Sequence, residues 1–174
     1  MKKQQVEKYL DYYGKTQGVL PEKIKEYHEK YKTEGLEKED LYQLAYESST
    51  RSAYHVKKNS EEACREVIDN IERVEGDFSK IALISSLKGF KAPTASVVLT
   101  VMDPENHAIV DTRVWASLER LGKVEGRKET FDALDYQEMM KEIRLIADET
   151  GYTPEKIGYA LFAYDVDKRE GTLH

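Results

Sequence analysis

Apolar residues recur every three or four positions along most of the chain, and almost no stretch alternates with period two. A chain patterned this way packs amphipathic helices and has little material for a sheet. Only four prolines and ten glycines punctuate its 174 residues. Hydrophobic residues make up 40% and charged residues 34%, a globular balance, and the length suits one domain that can bury its own core.

The punctuation predicts the helices in turn. A short helix covers Lys3 to Tyr13, and Gly14 and Gly18 break the chain after it. Pro21 opens a second helix to about Thr33, with Ile24, Tyr27 and Tyr31 on one side and Gly35 at its end. A third runs from Lys38 to Lys57, with Leu41, Leu44 and Ala45 facing inward. Asn59 caps a fourth, with Glu62 three residues on as in a capping box, and Cys64, Val67, Ile68, Ile71 and Val74 form its apolar stripe to Gly76. The next carries Ile81, Leu83, Ile84 and Leu87.

Leu87-Lys88-Gly89-Phe90-Lys91 is a connection short enough only for a hairpin between adjacent helices. The following helix starts near Ala92, with Pro93 in its first turn and Ala95, Val98, Leu99 and Met102 buried. After a turn at Asp103–Asn106, Asp111 caps a helix bearing Val114, Trp115, Leu118 and Leu121. A charged loop precedes the helix from Tyr136 to about Glu149, and Thr153 and Pro154 start the last. The tail from Asp165 is charged and expected to fray. The first 35 residues read as a loosely attached pair of helices.

Several classes of function are disfavoured. A lone Cys64 excludes a disulfide framework, a four-cysteine zinc site and a four-cysteine iron–sulfur cluster, and the four histidines are scattered. No metal or other cofactor is therefore expected. No apolar run reaches about 18 residues, so no membrane span is expected. The lysine- and glutamine-rich start has no apolar signal core, which points to a cytoplasmic protein. A net charge of −6 argues against a general polyanion binder and leaves room for a local basic surface.

The informative stretch is Leu87 to Gly122, LKGFKAPTASVVLTVMDPENHAIVDTRVWASLERLG. A helix ends in a glycine-containing hairpin, a helix rich in small residues follows, and a loop delivers Val110-Asp111-Thr112-Arg113 to a third helix. This arrangement resembles the helix-hairpin-helix (HhH-GPD) DNA glycosylases, the superfamily that includes endonuclease III. Leu87, Gly89, Phe90, Thr94 and Ala95 match its hairpin pattern L-P-G-hydrophobic-G-x-K-T-A. Val110-Asp111-Thr112-Arg113-Val114 matches its V-D-T-H/R-V segment, and Pro93 precedes Asp111 by the family's interval between catalytic lysine and aspartate. Ile157-Gly158-Tyr159-Ala160-Leu161-Phe162 is similar to its closing helix. The likeness covers Phe78 to Leu121 best, weakens towards Tyr164 and does not reach the first 35 residues.

The resemblance implies an all-α fold of the HhH-GPD type over residues 36–174, with its hairpin at 87–91 and residues 1–35 as a helical extension. It implies double-stranded DNA as partner, held through its phosphates by Lys88, Gly89, Lys91 and Thr94. It further implies extrusion of a base and rupture of its bond to the sugar, with Asp111 as the catalytic carboxylate. Pro93 carries no nucleophile, so the lysine-dependent lyase step of bifunctional members is not available from that position. Lys91 stands where the family has a second glycine, the cysteine cluster is absent, and no upstream wedge loop is apparent. The expected activity is a monofunctional DNA N-glycosylase. The alternative is a non-catalytic DNA-binding or protein-interaction module on the same scaffold, whose partner would then be a protein.

Other residues carry bland readings beside sharper ones. Asp111 suits a plain N-cap as well as a catalytic role. Arg51, His55, Lys57 and Lys58 read as an exposed helix end more readily than as a nucleic-acid groove. Trp115 and Cys64 read as core, His107 as an exposed loop residue, and Tyr42, Tyr46 and Tyr54 as core filling rather than a stacking platform.

Overall fold

The computed structural model describes residues 1–169. Within them the chain forms helices only: α1 (Lys3–Gln17), α2 (Leu20–Glu34), α3 (Lys38–Ser48), α4 (Thr50–Val56), α5 (Glu61–Ile71), α6 (Asp77–Ser85), α7 (Ala92–Met102), α8 (Thr112–Arg120), α9 (Ala133–Thr150) and α10 (Pro154–Arg169). The all-α expectation therefore holds. Among the described residues no helix is long and apolar enough to cross a membrane.

The most apolar helix, α7, lies at the centre, and every residue from Thr94 to Met102 is buried. Helices α2, α3 and α6 pack around it, and α8, α9 and α10 form the adjoining layer. The apolar stripe of α5 buries Cys64, Val67, Ile68 and Ile71 as its spacing predicts, and Cys64 is inert packing. Trp115 is also core, at 2% exposure.

The structure differs from the sequence reading at five places, each with a local cause. Helix α1 runs through Gly14 and stops at Gly18; an isolated glycine costs a helix only about 1 kcal/mol. The N-terminal helices are not loosely attached, because Val6, Tyr9, Tyr13 and Ile24 join the common core. The single helix expected from Lys38 to Lys57 is two. Ser49 adopts extended angles (φ −164°, ψ 120°), ends α3, and caps α4 by accepting from the Ser52 N–H. The Ser48-Ser49-Thr50 run offers hydroxyls that compete for backbone bonds and breaks the helix there. The cap of α5 is Ser60 rather than Asn59. Finally, α10 continues through Asp165, which is fully buried, to Arg169, and the rest of the tail expected to fray, 170–174, lies outside the described residues.

Candidate functional site

The site forms where α7 and α8 begin. Lys91 and Asp111 have extended angles and lead directly into these helices. The Ser96 hydroxyl, buried in α7, accepts from the Val110 N–H at 3.0 Å, which fixes the chain just before Asp111. Gly158 of α10 lies against the same segment: a Cβ there would sit 3.1 Å from the Ala108 Cβ and 3.2 Å from the Ile109 carbonyl oxygen.

Asp111 uses one oxygen to build the helix and leaves the other open. Its Oδ1 accepts from both the Arg113 and Val114 N–H groups at 2.9 Å. Among the described residues no donor reaches Oδ2, yet no buried side-chain oxygen lacks a partner; Oδ2 is therefore accessible. Burial pushes the carboxyl pKa up, and the two N–H bonds of α8 pull it back.

Oδ2 belongs to a residue that lines two adjoining cavities. The larger, about 390 Å³, is walled by Tyr13, Tyr159 and Phe162, with Pro93, Ser48 and Asp111 along one side. Tyr13 stacks on Tyr159 with centroids 4.8 Å apart and meets Phe162 edge-on at 5.7 Å. Both tyrosines are about 95% buried, at 5% exposure each, and their hydroxyl pKa values are driven up chiefly by burial. The second cavity, about 350 Å³, shares Ser48, Pro93 and Asp111 and is lined by hydroxyls of Ser49, Ser52, Thr94, Thr112 and Thr130, with Lys91. The chain thus brings Pro93 and Asp111 to the same two cavities.

Helix α4 and the hairpin form one surface beside them. Gly89 has φ +90°, and a Cβ on it would lie 2.5 Å from the Ser52 carbonyl oxygen and 2.8 Å from the Val56 Cγ2. Only glycine allows the turn to rest on α4 at that distance. Asn59 locks it down: its Nδ2 donates to the Lys88 carbonyl at 2.9 Å and to the Val56 carbonyl at 3.0 Å, and its Oδ1 accepts from the Lys88 N–H at 2.8 Å. The cap expected from Asn59 is thus replaced by a clamp on the hairpin, a role with no local sequence signal because its partner lies 29 residues away.

The two segments so joined carry no carboxylate of their own, and Glu47 and Glu129 line the adjoining cavities. Ser48 to Ser60 and Ser85 to Met102 contain no aspartate or glutamate but hold Arg51, Lys57, Lys58, Lys88 and Lys91, in a chain of net charge −6. All five cations are exposed. His55, Lys57 and Lys58 form the exposed end of α4, as expected, and Arg51 lies in its first turn. Tyr46 and Tyr54 are 50% and 64% exposed, so the core-filling expectation fails for them, while Tyr42 is half-buried under the Lys57 ammonium.

Of the four expected phosphate contacts, Lys88 and Lys91 are exposed, Gly89 faces α4, and Thr94 is buried. The Thr94 hydroxyl lies 3.3 Å from that of Ser48 at the second cavity. His107 is not the exposed loop residue expected. It is 3% exposed, its Nδ1 lies 2.9 Å from the Tyr136 hydroxyl and 3.9 Å from Asp77, and burial lowers its pKa to about 4. Arg144 ties this network to the turn through a two-pronged bond to Asp77 (2.5 and 2.8 Å) and bonds to the Asn106 carbonyl. It is structural.

Among the described residues, no three His, Cys, Asp or Glu side chains gather closely enough to hold a metal ion. No family model, curated protein or solved structure matches the chain.

Proposed function

We propose that the protein binds duplex DNA and removes a damaged or mismatched base as a monofunctional N-glycosylase. The observation that carries this reading is the Asp111 carboxylate. It is anchored through Oδ1 and open through Oδ2, on an aromatic-walled cavity beside a cationic surface. An extruded base is a flat π-system and would find stacking partners in Tyr13, Tyr159 and Phe162. As the base–sugar bond breaks, positive charge grows on the sugar, and a carboxylate at that point stabilises it. The same oxygen can accept a proton from the attacking water, because its raised pKa makes it a stronger base than a free aspartate. Fixing Oδ1 to the start of α8 keeps the group from swinging away and supplies the preorganisation that such stabilisation needs. Lys88 and Lys91 would hold the backbone while the base is engaged.

The deciding experiment is a base-release assay on duplexes each bearing one damaged or mismatched base, with alkali to reveal abasic sites. Release by the wild type that is lost in Asp111→Asn establishes the reaction and identifies the base. No release from any duplex, with duplex binding intact, assigns the protein to the non-catalytic DNA-binding alternative.

A further inference from the structure

A third cavity adjoins the hydroxyl-lined one along α8, and its chemistry differs from the other two. It holds about 360 Å³ and shares Thr112 and Glu129 with the hydroxyl-lined cavity. One wall is a single face of α8, where Thr112, Trp115, Ala116, Glu119 and Arg120 follow at helical spacing. The loop after α8 supplies Arg127, Lys128 and Glu129, and the end of α10 supplies Arg169. Four cations thus meet two carboxylates.

The cations are held in place from behind. Asp165 is fully buried and receives three guanidinium groups: Arg120, Arg113 at 3.3 Å and Arg169 Nε at 2.8 Å. Each guanidinium has five N–H donors, and one carboxylate offers about four acceptor positions. Arg120, which lines the cavity, meets Asp165 through Nη1 and remains 36% exposed, so its other N–H groups can face a further acceptor. The loop is equally fixed. The Trp115 indole N–H donates to the Gly126 carbonyl at 2.6 Å, and the Lys128 ammonium sits 4.8 Å from the Trp115 ring centroid while bonded to Asp135. Arg127 has no such commitment. Its pair with Glu129 spans 3.5 Å between side chains 85% and 81% exposed, and an exposed pair of that kind yields readily to a better acceptor.

We infer that this arginine-lined cavity binds a phosphate of the DNA backbone, a second anchor on the side of Asp111 away from the hairpin. The inference rests on the DNA-binding reading above. An arginine fork matches a phosphate with two parallel bonds, and the buried Asp165 has already ordered the Arg120 guanidinium for it. A strand held at Lys91 and again at Arg120 and Arg127 would pass over the cavity that carries Asp111.

The test measures duplex binding by fluorescence anisotropy over a range of salt for the wild type, Arg127→Glu, Arg120→Gln and Lys91→Glu, with thermal melts to confirm folding. Each lost phosphate contact lowers the slope of log affinity against log salt by about 0.9. Arg127→Glu and Arg120→Gln are expected to lower it by about that amount and to weaken binding about tenfold at low salt. Unchanged slopes in both, with Lys91→Glu weakened, overturn this second anchor and leave the DNA reading standing. In parallel, inorganic pyrophosphate is titrated while the NMR signal of the single tryptophan indole is followed. If the wild type binds no duplex, the DNA reading fails. A pyrophosphate shift lost in Arg127→Glu would then reassign the cavity to a free phosphate compound, and no shift would abolish the site.

Discussion

Lowering the pH should unfold this protein in a way that depends on one histidine. His107 is 3% exposed, and its ring lies against a fully buried Tyr136 hydroxyl. Burial disfavours the imidazolium and is the largest influence; Asp77 opposes it and Arg144 reinforces it. The result is a folded-state pKa of about 4 against an ordinary 6.5. Between these values the unfolded chain binds the proton and the folded one does not, so stability is full above pH 6.5 and declines as pH falls towards 4. A displacement of that size, at about 1.36 kcal/mol per pH unit, amounts to about 3 kcal/mol. With a urea dependence of about 2 kcal/mol per molar, the unfolding midpoint should fall by about 1 M between pH 7 and 4.5 from this group alone. Carboxylates titrate in the same range, and comparison with His107→Gln removes their contribution. The wild-type curve should descend more steeply than that of the variant over this window. Parallel curves, or an imidazole proton signal titrating near 6.5, would refute the assignment of a neutral, buried ring.

Other substitutions report on the hairpin and the carboxylate. Gly89→Ala combines a positive φ with a Cβ 2.5 Å from the Ser52 oxygen and should cost about 3 kcal/mol, read as a fall in Tm of about 10 °C. Asn59→Ala removes three bonds and should destabilise by about 2 kcal/mol in urea titration; a loss below about 0.5 kcal/mol, within the noise of such titrations, would mean that the hairpin seats itself without the clamp. Asp111→Asn should melt at or above the wild-type temperature at pH 7. The raised carboxyl pKa makes the folded state hold its proton more tightly, so ionisation at neutral pH costs stability, and asparagine caps a helix as well as aspartate does. A large drop in Tm would assign Asp111 to the fold alone. Lys91→Glu should weaken duplex binding at low salt with an unchanged Tm; equal affinity would remove Lys91 from the interface.

Helix positions were legible because burial follows local spacing. The stripe on α5, the Pro93 and Pro154 starts and the Asp111 cap all rest on residues within a turn of one another. What was not legible depends on partners far along the chain. Asp165 reads as a frayed tail until Arg113 and Arg120 arrive from α8. His107 reads as a loop residue until α9 brings Tyr136 over it. The segment containing Asp111 was visible as a motif, but its aromatic wall was not. Tyr13 comes from α1, which the motif does not reach, and Tyr159 from α10. The break at Ser49 was readable in principle from the Ser-Ser-Thr run, whereas the clamp from Asn59 to Lys88 was not.

The pairing of α1 with α10 also bears on the order in which the molecule assembles. The bond from the Tyr9 hydroxyl to Asp167, at 2.9 Å, joins residues 158 positions apart, and the Tyr13–Tyr159 stack lies beside it along the same helices. Each doubling of a closing loop adds only about 0.6 kcal/mol of entropic cost, but contacts of such separation are gained late, after local ones have formed. During synthesis the hairpin, α7 and the Asp111 cap can form while α10 is still untranslated. The aromatic wall cannot. A nascent chain would thus display its cationic surface before its cavity exists, and a ribosome-stalled series of increasing length should acquire nucleic-acid affinity before it acquires a protected Tyr13.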